Sequence, residues 1–207
     1  EGFFKDEADI ASSPTQNFST VVPGDIKYKD VNGDGTIDSN DQIAIGYSTV
    51  APEIYYSFHL GAEWRGIGFS AMFQGTANYS AVLNTKSMFW PLINNTTLSS
   101  HYYENRWTPE NLNAKYPRLS SQSNANNYQT NTIWLEDRSF LKLRNVELYY
   151  KFPKNLMQKT KILGRAKLYV RGVDLLCFDK IDVADPESYG ATNPLNKSVV
   201  VGLKIGF

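Results

Sequence analysis

An all-β, antiparallel architecture is expected from three features of the chain. Apolar and polar side chains alternate in several stretches of roughly ten residues, the connections between them are short and long by turns, and the polar faces carry charges and hydroxyls. Alternation with a period of two gives each strand one apolar and one wet face. Two architectures meet that requirement: a soluble antiparallel sheet resting on a core, and a transmembrane barrel wall around a polar lumen, with short turns on one side and long loops on the other. Five strands of this length enclose no useful lumen, because barrel diameter grows with strand number, so the barrel reading calls for further strands.

Residues 1–52, rich in Asp, Ser, Pro and Gly, show no sustained period apart from the apolar run Ile43 to Ile45, and are expected to form a long ordered loop. Over 53–64, Ile54, Tyr56, Phe58, Leu60, Ala62 and Trp64 alternate with Tyr55, Ser57, His59, Gly61 and Glu63, which predicts a strand. Arg65-Gly66 is a tight connection to a second strand over 67–77, with Ile67, Phe69, Ala71 and Phe73 on one face. Residues 78–137 are dense in Asn, Ser, Thr and Pro and too long for an ordinary connection unless the loop is functional; a short helical turn is expected near His101 to Trp107. A third strand over 139–152 has Leu141 and Leu143 in one parity and Val146, Leu148, Tyr150 and Phe152 in the other, which a β-bulge near Arg144-Asn145 would reconcile. Pro153 ends it, and a short polar connection leads to a fourth strand over 165–177 that loses phase past Gly172. Residues 178–196 form another loop. A closing strand over 197–207 places Val199, Val201, Leu203, Ile205 and Phe207 on one face, and Phe207 is expected to act as an assembly signal.

The bulk properties narrow the function classes. The 21 basic and 21 acidic residues cancel, so no polyanion such as nucleic acid is implied as a partner. No stretch approaches the ~20 consecutive apolar residues of a spanning helix. The single Cys177 forms neither an internal disulfide nor a thiolate metal site. The opening Glu1-Gly2-Phe3-Phe4, without Met or a leader, suggests that an N-terminal part lies outside this chain.

Asp30, Asn32, Asp34, Thr36, Asp38 and Asp41 stand at positions 1, 3, 5, 7, 9 and 12 of a loop with Gly35 at position 6. A hard cation takes six to eight oxygens at such spacing, residue 7 giving its carbonyl, so a structural Ca²⁺ is expected, with Asp41 in place of the usual Glu at position 12. An Asx-rich turn without an ion is the alternative. No catalytic signature is present and no enzyme is expected: His59 and His101 lack ligand spacing, and Asp185-Pro186-Glu187 reads better as a turn than as an acid/base pair. The aromatic residues Phe89, Trp90, Tyr102, Tyr103, Trp107 and Tyr128 suit a ligand or partner surface, or else the packing of a long loop.

The stretches PGDIKYKDVNGDGTIDSND (23–41), NRWTPENLNAKYPRLS (105–120), SFLKLRNVELYYKFP (139–153), AKLYVRGVDLLCF (166–178), DPE (185–187) and a terminal GLKIGF resemble, in order, the C-terminal quarter of SusC/RagA-family TonB-linked outer-membrane transporters. The resemblance implies the last five strands of a 22-stranded barrel filled by an N-terminal plug and energised through the TonB complex. It also implies a SusD-like lid lipoprotein and import of oligosaccharides or peptides across the bacterial outer membrane. On the same grounds 1–52, 78–137 and 178–196 would be extracellular and Phe207 periplasmic. Asp174 stands where the family usually has Asn. The rival expectations are a siderophore or vitamin receptor of the wider TonB-dependent class, and a soluble calcium-stabilised β-sandwich for glycan binding or adhesion.

Overall fold

A computed structural model describes the chain except residues 84, 86–88, 160–161, 189–192 and 194. Two compact units are present: one made of Glu1–Gly46 with Ala81–Glu136, the other of Tyr47–Ser80 with Asp137–Phe207.

The second unit is an antiparallel meander of β1 (Ile54–Trp64), β2 (Ile67–Ala77), β3 (Phe140–Lys151), β4 (Arg165–Asp179) and β5 (Ser198–Gly206), paired in chain order. Trp64 faces Ile67 across the Arg65-Gly66 turn, where both central residues have positive φ (49° and 86°). That is the backbone a two-residue hairpin needs to match strand twist. A Cβ on Gly66 would meet the Lys151 carbonyl oxygen at 2.7 Å, so glycine is required there for space as well.

The bulge falls at Arg144. Met72 pairs with Asn145 and Phe73 with Leu143, leaving Arg144 unopposed and bringing Leu141, Leu143, Val146 and Leu148 onto one face. On the other side the register of β4 slips between Val173 and Leu176, and Asp174 takes φ 51°. This slip is the loss of phase visible in the sequence; β4 recovers its pairing and runs two residues beyond the expected end, to Asp179.

One face of this sheet is apolar and open. Phe58, Leu60, Trp64, Phe69, Leu148, Leu168, Val170, Val201, Leu203 and Ile205 all belong to its large exposed hydrophobic side chains. The opposite face holds Glu63, Gln74, Lys142, Glu147, Arg171 and their neighbours in ion pairs and hydrogen bonds. Residues 152–164 include a helix, Lys154–Lys159, where only an irregular connection was expected.

The first unit is more ordered than a plain loop. Gly2–Phe3 pairs with Ile26–Lys27, Thr15–Gln16 runs parallel to Thr36–Ile37, and Asp6 caps the helix Glu7–Ala11 by accepting from Asp9 N–H at 2.8 Å. The expected helical turn is Ser100–Asn105, capped by Ser99. Such pieces are too short to show periodicity in sequence; tertiary packing stabilises them. Among the described residues no helix is long and apolar enough to cross a membrane, which says nothing about strands.

Candidate functional site

The polar face of the sheet carries a chain of charges. Glu147, nearly buried, accepts from Lys167 Nζ at 2.5 Å and from Arg171 Nε at 2.9 Å. Glu63 accepts from Lys151 Nζ at 2.5 Å and Tyr149 Oη at 2.7 Å. Beside Glu147 a shallow cavity of ≈ 330 Å³ is lined by His59, Ser70, Met72, Asn145, Glu147 and Arg171. His59 is thus on a polar, solvent-filled surface, while His101 bonds Tyr116 Oη at 3.0 Å inside the other unit. Among the described residues neither belongs to a group of three or more His, Cys, Asp or Glu side chains able to hold a metal.

The Asp185-Pro186-Glu187 segment is tied to β3 by side chains that the sequence alone did not connect. Lys142, whose side chain is 3% exposed, lies 2.8 Å from both Asp185 and Glu187. Arg144, pushed out by the bulge, reaches Glu187, Asp174 at 3.0 Å and Gln74 Oε1 at 2.9 Å. Burial pushes the Asp185 and Glu187 carboxyls up, but hydrogen bonds from Lys142 to both and from Arg144 to Glu187 outweigh it and hold both below the usual carboxylate range. The pair is therefore neither a bare turn nor an acid/base couple; it is an ionic latch. Asp174, at the position where Asn is usual in the resembling family, supplies one of its anions.

In the first unit the aromatic residues form one stack. Tyr102 lies on Tyr116 at 4.8 Å, Tyr116 on Trp134 at 5.8 Å, Trp134 beside Tyr128 at 6.1 Å, and Tyr128 under Trp90 at 4.5 Å. Phe89, Tyr102 and Trp107 are buried, so their place is in packing and not on a contact surface; of the six candidates Tyr103, 50% exposed, and the half-buried Trp90 and Tyr128 reach the surface. Burial raises the Tyr102 phenol, and pushes that of Tyr128 up to about 12.

Asp25, fully buried, organises the same unit. Its Oδ1 accepts from Arg118 Nε at 2.8 Å, Asn124 Nδ2 at 3.0 Å and Asn127 Nδ2 at 2.9 Å, and Oδ2 accepts from Val22 N–H at 2.9 Å. Asn126 extends the network to Gln16 and the Ile26 carbonyl. Gly24 beside it has φ 87°, and a Cβ there would lie 2.4 Å from the Trp107 ring. The PGD and YPRLS stretches noted in the sequence are thus two sides of one buried joint.

In the 30–41 loop the side chains bond the loop's own amides. Asp30 accepts from Gly33 and Gly35 N–H at 2.6 and 2.8 Å, Asp34 from Thr36 N–H at 2.8 Å, Asp41 from Val31 and Asp38 N–H at 2.8 and 2.9 Å, and Asp38 from Asn40 N–H at 2.7 Å. The backbone N–H of Asp38 and then that of Val31 lower the Asp41 carboxyl. Among the described residues no three His, Cys, Asp or Glu side chains are gathered to hold a metal. The donor chemistry fits a hard cation and each carboxylate keeps spare lone pairs, but a shared centre would require Asp30, Asp34 and Asp41 to turn toward one another. Beside this loop a cavity of ≈ 670 Å³ is walled by Phe18, Tyr28, Ile43, Gln129 and Asn131 among others. Phe207 is 90% exposed.

No family model matches the chain. TonB-dependent receptor P26 of Formosa agariphila is 27% identical over 197 residues, covering 90% of this chain and 18% of the receptor. TonB-dependent receptor P3 of the same organism is 27% identical over 89% of this chain and 18% of its own length. Among solved structures, the RagAB peptide transporter matches with a TM-score of 0.66 and 28% identity over 83% of this chain and 19% of that chain, and the RagAB peptide importer in its closed-closed state with 0.66 and 27% over 84% and 20%. The chain spans about a fifth of the length of the proteins it matches, and over that span it is similar to TonB-dependent receptors and to the RagAB peptide transporter.

Proposed function

We propose that this chain supplies part of the wall and rim of an outer-membrane importer that works through TonB with a SusD-like lid lipoprotein. The carrying observation is the sheet with one face apolar and largely exposed and the other lined by ion pairs. Strands of eleven or twelve residues rise ~35 Å, and at a ~45° tilt they match the ~25 Å apolar band of an outer-membrane barrel. A soluble sandwich would need a second sheet over the apolar face, and the described residues provide none. Import, lid and TonB coupling are properties of the longer relatives; that the solved neighbours are a peptide transporter and importer favours peptides over oligosaccharides as cargo.

Deleting the parent protein in its host and growing the strain on peptide mixtures and on single oligosaccharides tests the cargo. Loss of growth on one class identifies it, and unchanged growth on every nutrient without a co-purifying lipoprotein removes the importer reading. In the same host, deleting Phe207 alone should lower the amount of protein in the outer membrane; normal insertion would end its role as an assembly signal.

A further inference from the structure

Charge is spread unevenly along the strands, and the excess gathers at the end of the sheet that carries the short connections. Between Lys151 and Lys167 the sequence holds six cations, Lys151, Lys154, Lys159, Lys161, Arg165 and Lys167, and no carboxylate. The turn between β1 and β2 adds Arg65 at the same end, where the Gly66 carbonyl accepts from Lys151 N–H at 2.7 Å. Lys151 and Lys167 are on the polar face and paired, with Glu63 and Glu147. Arg65 on the turn, and Lys154 and Lys159 on the helix that follows β3, are exposed and have no carboxylate partner among the described residues.

Apolar and aromatic side chains stand among these unpaired cations. On the helix Met157 is buried while Leu156 beside it is exposed, as is Ile162 further along the connection. Exposed Trp64 ends the apolar face at the turn, with the Arg65 guanidinium 4.6 Å from its ring centroid. Tyr150 and Phe152 meet edge to face at 5.2 Å where β3 runs into the connection. Aromatic rings at the end of an apolar band, with cations just beyond them, suit the headgroup level of a bilayer, because rings and lysine stems enter the acyl boundary while the charge stays wet.

We propose that this end of the sheet docks on anionic phospholipid, with Arg65, Lys154 and Lys159 facing lipid phosphates and Trp64, Leu156 and Ile162 in the acyl boundary. Charge complementarity names the partner, since these cations lack carboxylates and a leaflet of anionic lipid presents an excess of negative charge. The apolar side chains separate a lipid surface from a dissolved anion. A free phosphate would pair the cations and leave Trp64, Leu156 and Ile162 against water, whereas acyl chains beneath a phosphate cover both. The inference rests on the wall reading, from which it takes that the apolar face meets lipid, and it adds which lipid the short connections select.

Lysine acylation, read by mass spectrometry on the full-length protein recovered from the outer membrane and reconstituted into nanodiscs, tests it. One set of discs holds phosphatidylcholine alone and the other adds phosphatidylglycerol. A protein that is absent from that membrane or does not reconstitute removes the wall reading and this one with it; once it is reconstituted, the comparison bears on the lipid alone. The expected result is slower acylation of Lys154 and Lys159 with phosphatidylglycerol, reversed by high salt, and no change at the exposed Lys5. In competition between the two lipids, followed by native mass spectrometry of the bound lipid, Lys154→Gln and Lys159→Gln should each cut the preference for phosphatidylglycerol about five-fold, the effect of one cation near an anionic surface. Equal acylation in the two kinds of disc would overturn the proposal, as would a preference that both variants leave intact. So would protection that appears in phosphatidylcholine discs on adding inorganic phosphate, or that requires a co-purified protein and not the lipid.

Discussion

At the scale of single residues, charges matter here according to whether they are buried. Asp25 has no exposed side-chain surface and accepts five hydrogen bonds, whereas Asp9 meets Lys27 at 2.7 Å in a partly exposed pair. Asp25→Ala leaves Arg118 and two Asn amides without their acceptor, a loss of about 3–5 kcal/mol for a broken buried pair. Asp9→Ala should cost no more than about 1 kcal/mol. Thermal unfolding and limited proteolysis of the two variants should therefore differ sharply within residues 1–46 and 81–136; equal behaviour would mean that Asp25 is not the joint. The 30–41 loop makes a second prediction. Calorimetric titration of the parent protein should show Ca²⁺ binding that Asp30→Ala abolishes and that Asp41→Glu, with its longer arm, preserves. An absence of binding at millimolar calcium leaves the loop as an amide-bonded Asx turn.

At the scale of elements, the bulge in β3 and the Asp185-Pro186-Glu187 segment act together. Without the extra residue at Arg144, the apolar parity of Leu141 and Leu143 would point into the polar face. With it, Arg144 is freed to reach Asp174 and Glu187 while Lys142 holds Asp185. Both carboxyls of the latch are depressed, so the stability they contribute is present above the ordinary carboxylate values near 4 and is lost as pH falls through the lower folded ones. Hydrogen exchange of residues 180–188 should therefore stay slow from about pH 8 to about 5 and accelerate below about 4. Lys142→Met, which leaves both carboxylates short of a cation, should loosen the segment across that whole range. Exchange that does not change on acidification would show that the ionic contacts do not hold it.

At the scale of the whole molecule, the sheet has an uncovered apolar face and unpaired outer edges on β1 and β5 among the described residues. Open edges next to exposed apolar surface pair with other chains in water, and in lipid each unsatisfied backbone group costs several kcal/mol. Residues 1–207 expressed alone should thus aggregate in buffer and require detergent, as assessed by size-exclusion chromatography with light scattering. A well-behaved monomer without detergent would revive the soluble sandwich.

The strands were legible in the sequence because alternation is a local property: each of Ile54 to Trp64 declares its face by its neighbour two residues away. The bulge was legible for the same reason, as a break in parity between Leu143 and Val146. The Arg65-Gly66 turn was visible because few residues accept positive φ. Nothing local, however, connects Lys142 to Asp185 or Asp25 to Arg118, residues 43 and 93 positions apart. Nor does composition say whether an aromatic residue in a long loop is inside or outside; Phe89 and Tyr102 went in because Tyr116 and Trp134 were there to receive them, and Trp107 because Gly24 leaves room for its ring. The sequence by itself determined the strands, their faces and the bulge. Tertiary structure alone decided which charges are paired, because a side chain's partner depends on register and long-range closure, and neither is written in nearest-neighbour pattern.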